Sequence, residues 1–76
     1  MQLGSMRSAV VTMDGGGTWL SVRGHGGILE YGESVLRLRL NKGALRIDGS
    51  GLMLESMDGE DILIAGRIAG VTLESD

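Results

Sequence analysis

The stretch VLRLRL, residues 35–40, changes polarity at almost every step. In an extended chain Leu36, Leu38 and Leu40 share one side, and Arg37 and Arg39 share the other. A helix would scatter the same leucines around its circumference, so a period of two points to a strand with one dry face and one wet face. The habit recurs along the chain. Leu45 and Ile47 alternate within ALRID (44–48), and Leu52 and Leu54 within LMLES (52–56). Ile62 and Ile64 alternate in DILIAG (61–66), Val71 and Leu73 in GVTLES (70–75), and Leu20 and Val22 in TWLSVRG (18–24). No segment sustains a 3.6-residue repeat long enough for a helix.

Glycine punctuates these runs. Fourteen of the 76 residues are Gly and none is Pro. Turn-forming clusters fall at DGGG (14–17), GHGG (24–27), GES (32–34), NKG (41–43), DGSG (48–51), MDGED (57–61) and GRIAG (66–70). Short strands with such regular turns predict an all-β domain. We expect six to seven short antiparallel strands in a meander, forming a small two-layer sandwich or roll, with a β-solenoid as the alternative. Residues 1–8 are expected to be a flexible tail, with GSM at 4–6 a cloning scar before Met6, and residues 9–76 one β domain.

The VLRLRL strand and the ALRID segment form a hairpin in this reading. Pairing Leu40 with Leu45 leaves a four-residue loop and sets Arg37 opposite Asp48. Pairing Leu40 with Gly43 keeps the leucines together but sets Arg37 opposite Arg46. Directly opposed like charges destabilise a ladder, so the four-residue loop is the expected register, with Gly43 at positive φ.

A chain this small builds a core that contributes only a few kcal/mol net, and small proteins often add staples. With no Cys and one His, disulfides, thiolate metal sites and a His-rich zinc site are excluded within one chain. Aromatic residues are limited to Trp19 and Tyr31, so the core must come from Leu, Ile, Val and Met. Trp19, Met53, Leu63, Ala65 and Ala69 lie out of phase with the leucine face. A sheet that is apolar on both faces must be covered twice, by folding over, by closing, or by another copy. Trp19, Met53 and Leu63 are therefore the candidate self-association face.

Few residues suggest chemistry. His25 sits among glycines, and a catalytic reading would need Ser21, Glu30 or Glu33 as its companion. The simpler reading is a polar residue in a Gly-rich hairpin loop between TWLSVR and ILEY. DGGG precedes a strand rather than a helix, so it reads as a turn and not as a phosphate cradle. Asp58, Glu60 and Asp61 are too few and too close for a calcium loop, and read as an acidic turn. Arg37, Arg39, Lys42 and Arg46 make a basic strand face that could meet an anionic partner such as a membrane surface, an acidic protein or nucleic acid. A solvated face is the plainer reading, because no aromatics interleave and the net charge is −3. No catalytic residue, metal ligand, cofactor or small-molecule substrate is expected.

The order of these pieces resembles the YabP/YqfC family of sporulation proteins. The resemblance runs from about Val11 to Glu74. It is carried by TMDGGGTWLSVRGHGGILEY, by G-x-L-x-I-x-G-x-x-L from Gly43 to Leu52, and by I-x-I-x-G-x-I-x-x-V from Ile62 to Val71. It implies a non-enzymatic protein of endospore formation that assembles the spore envelope. The expected location is the cytoplasm of the mother cell, or the forespore surface. Its expected partners are copies of itself and other envelope proteins. Relatives also carry extra sequence before the β region, which implies that an upstream segment is missing or trimmed.

Overall fold

A computed structural model describes residues 9–75. The expected tail at 1–8 and the final Asp76 lie outside the described residues. Six strands form: β1 (Val10–Met13), β2 (Trp19–Arg23), β3 (Ile28–Tyr31), β4 (Val35–Leu40), β5 (Gly43–Asp58) and β6 (Asp61–Glu74). They make one open antiparallel sheet in the order β1-β2-β6-β5-β4-β3. The fold is all-β, as the alternation requires, and antiparallel neighbours throughout exclude the stacked rungs of a solenoid.

Two departures from the sequence reading follow from how glycine is used. ALRID and LMLES are not separate strands but one strand of 16 residues, and DILIAG and GVTLES join into another of 14. DGSG and GRIAG are bends inside these strands, not turns between them. The β5–β6 ladder shifts register between Asp48 and Gly49, between Ser50 and Met53, and between Leu54 and Ser56, and bulges of this kind bend and twist a ribbon. At the bend Gly66 has φ +135°, and a Cβ there would lie 2.6 Å from the Gly51 carbonyl oxygen. Only glycine lets the two backbones approach this closely.

The bend divides the sheet into two halves. One consists of β1, β2, residues 61–65 of β6 and residues 53–58 of β5. The other consists of β3, β4, residues 43–48 of β5 and residues 70–74 of β6. Leu20, Val22, Ile62 and Ile64 from the first half join Leu36, Leu38, Leu45 and Ile47 from the second in one buried cluster, with Leu52 at the bend. The inner faces of a single folded-over sheet thus make the core, as in a small roll. Burying each such side chain contributes about 1.5–3 kcal/mol. The core thins toward the free edges. Leu73, the cross-strand partner of Leu45, remains 73% exposed.

The second departure concerns residues 24–27. They do not close a hairpin, because β2 pairs with β1 and β6 while β3 pairs with β4. The segment crosses from one half-sheet to the other, which interrupts the meander. It is held by Gly24 N–H to Glu60 carbonyl (2.8 Å), Gly26 N–H to Arg39 carbonyl (2.7 Å) and Arg39 N–H to Gly27 carbonyl (2.8 Å).

Candidate functional site

The bend gives the molecule two outer faces, and their chemistry differs. Cross-strand partners share a face. On the first half-sheet, Trp19 and Met53 flank Ala65 from either side, and Ser21 and Ser56 flank Leu63. The sheet therefore brings Trp19, Met53 and Leu63 together on adjacent positions of one surface, with Ala65, Ser21 and Ser56 filling the spaces. Trp19 is 37% exposed and Met53 53%, and Leu63 is half-buried between its neighbours. Thr12 and Val10 of β1 extend the surface, since they pair with Ser21 and Arg23. Charge enters at Glu55, exposed between Met53 and Ser56 on β5, and at the end of the sheet, where Arg23 Nε meets Asp61 Oδ1 at 3.2 Å beside Asp58.

The outer face of the second half-sheet is ionic. Here the expected hairpin register is corrected. Leu40 pairs with Gly43, Leu38 with Leu45, and Arg37 stands directly opposite Arg46. Asn41 and Lys42 turn with negative φ and Gly43 follows at φ +106°, the arrangement of a tight bulged hairpin. A Cβ on Gly43 would overlap the Glu74 carbonyl oxygen. The opposed arginines are tolerated because carboxylates from elsewhere neutralise them. Arg37 donates through Nη2 and Nε to Glu74 Oε1 at 2.8 and 2.9 Å, and Glu30 lies 3.8 Å away. Arg46 Nε donates to Asp48 at 3.1 Å. Of the four candidate basic residues, Arg37 and Arg46 are thus committed to ion pairs. Arg39 and Lys42 are exposed and make no ion pair among the described residues. Glu74 could not be found as a partner from sequence, because it lies 37 residues away across β5.

His25 is 6% exposed, deeper than a turn residue is expected to be. Its backbone N–H donates to the Glu60 carbonyl (3.3 Å), and Nδ1 accepts the Gly27 N–H (3.0 Å). In the neutral ring the proton therefore lies on Nε2, which is buried with no hydrogen-bond partner among the described residues. Neither Glu30 nor Glu33 touches the ring nitrogens, so the companions a catalytic His25 would need are not assembled. The histidine ties the β2–β3 crossover to the tip of the β5–β6 hairpin.

The two other loops singled out in the sequence are turns. Asp14 organises DGGG: its carboxylate accepts N–H groups from Thr18 (2.6 Å), Trp19 (3.1 Å) and Gly16 (3.3 Å), and the Thr18 hydroxyl (2.9 Å). Desolvation, the largest single cause, pushes the carboxyl up, but the bonds from Trp19, Thr18 and Gly16 together outweigh it and hold it below the ordinary aspartate value. In MDGED, Gly59 has φ +58° in the tight turn between β5 and β6, and Asp58 pairs with Asp61. Among the described residues, no group of three His, Asp or Glu is placed to hold a metal ion. No helix there is long and apolar enough to cross a membrane.

Comparison with known proteins supplies the lineage. The model of the YabP family matches residues 7–76. The chain belongs to the YabP family. The match covers the whole stretch on which the sequence resemblance rests, and membership marks this YabP-family chain as a sporulation-related protein. Neither a search of curated proteins nor a search of solved structures found a match.

Proposed function

We propose that this YabP-family chain is a non-enzymatic structural protein of the spore envelope. It acts in the mother cell, at the forespore surface, by burying the apolar part of its outer face against copies of itself and neighbouring envelope proteins. One observation carries the reading. Trp19, Ala65, Met53 and Leu63 form a contiguous apolar surface on one side of the roll, while the opposite side carries the arginine–carboxylate pairs of Arg37 and Arg46. Aromatic and Met side chains are enriched where protein surfaces meet, and charge is depleted there. A small core without disulfides also gains stability by mass action when copies associate.

Sedimentation of the wild-type chain beside a Met53→Glu/Leu63→Glu variant tests this. Both residues lie on the outer face, so the variant keeps its fold. The wild type is expected to sediment as an oligomer at micromolar concentration and the variant as a smaller species. A wild type that stays a folded monomer at high micromolar concentration would refute the reading.

A further inference from the structure

We infer that β1 is a dimerisation edge, pairing antiparallel with β1 of a second copy. This deepens the self-association reading and rests on it, but it assigns a distinct surface. An open sheet presents free backbone at its margins, and proteins blunt such edges with charge, bulges or covering groups. Three of the margins here are blunted. β3 carries a register shift between Ile28 and Glu30, and Glu30 faces Arg37. The outer side of β5 is capped where Leu52 N–H donates to the Glu33 carbonyl (2.9 Å) and Leu54 N–H to the Tyr31 hydroxyl (3.1 Å), and Glu55 and Asp58 follow. The last residues of β6 carry Glu74, locked to Arg37.

β1 has none of these devices. VVTM is the one strand of the six without a charged side chain, and its register with β2 is unbroken. All four of its residues are exposed, and its outer side has no strand partner among the described residues. Asp14 N–H donates to the Trp19 carbonyl, so antiparallel alternation directs the backbone of Thr12 and Val10 toward β2 as well. The N–H and C=O groups of Val11 and Met13 therefore point outward.

That arrangement complements itself. About a two-fold axis at Thr12, Val11 of each copy lies opposite Met13 of the other, and four backbone hydrogen bonds form. The net charge of −3 opposes the approach of two copies, and β1 is the strand where a copy meets no like charge. Val and Thr are also favoured in strand pairs. The dimer would carry one continuous sheet of both copies, with the two Trp19–Met53–Leu63 faces on the same side.

The chain has no cysteine, so single Cys variants report the register directly. Thr12→Cys sets two thiols opposite each other at a non-hydrogen-bonded position, within disulfide reach, and mild oxidation should yield a covalent dimer. Val10→Cys lies on the same face, but its thiols would sit roughly 13 Å apart, so it should remain uncrosslinked. Thr12→Lys should reduce the size of the sedimenting species while circular dichroism stays that of the wild type. A Thr12→Cys chain that forms no covalent dimer on oxidation, or a Thr12→Lys chain that associates as before, overturns the proposal. So does crosslinking that appears only after residues 1–8 are removed, since that segment would then be the occupant of the edge. If the wild type assembles but fails these tests, the outer-face reading stands alone; if the wild type is monomeric, both fall.

Discussion

Asp14 shows how much one side chain can organise in a glycine-rich loop. Four donors converge on its carboxylate, so the DGGG turn is held by an ionised acceptor, not by the glycines. The ionised form is favoured by folding, and the stability it lends is fully present above about pH 4 and fades as pH falls through the lowered folded value. Asp14→Ala should therefore lower the denaturation midpoint at pH 7. The gap from wild type should narrow below about pH 4, as denaturant titrations at the two pH values would show. His25 teaches a different lesson at this scale. Flanking glycines marked a break between strands, but the segment crosses between half-sheets and closes no hairpin. Burial of the ring could not be read locally, because the Glu60 carbonyl that seats it comes from 35 residues further along.

Among the elements, alternation placed β2, β4 and the segments of β5 and β6, but not β1 or β3, whose VVTM and ILEY do not alternate. Leu36, Leu38, Leu45, Ile47, Ile62 and Ile64 all face inward as their spacing demands. Strand length and neighbour order were not legible. DGSG and GRIAG have the composition of turns, yet they serve as bends, because two facing glycine-containing segments let β5 and β6 curl together without parting. Gly66→Ala is thus expected to destabilise by at least about 2 kcal/mol in chemical denaturation, through strain at positive φ and a clash with the Gly51 carbonyl. The hairpin register was misjudged for a related reason. Weighing Arg37 against Arg46 alone predicts repulsion. Glu74, Glu30 and Asp48 reverse that balance, and two of the three act from outside the hairpin. A pairwise charge rule worth under about 1 kcal/mol does not fix register when third groups stand within reach.

For the molecule as a whole, the consequence of the bend is a division of labour between faces. The same fold that hides the leucines gathers Trp19, Met53, Ala65 and Leu63 on one exterior and the arginine–carboxylate pairs on the other. The sequence pattern named Trp19, Met53 and Leu63 as out of phase with the core. That they would be neighbours depended on β6 lying between β2 and β5, which is topology and not pattern. The basic face, by contrast, loses two of its four members to internal pairing. Trp19 is the sole tryptophan and stands within the apolar face, so its fluorescence reports burial of that face directly. Emission recorded from nanomolar to high micromolar protein is the most direct test of the account. It predicts a shift to shorter wavelength as concentration rises, absent in Met53→Glu/Leu63→Glu. A spectrum unchanged over the whole range would contradict it.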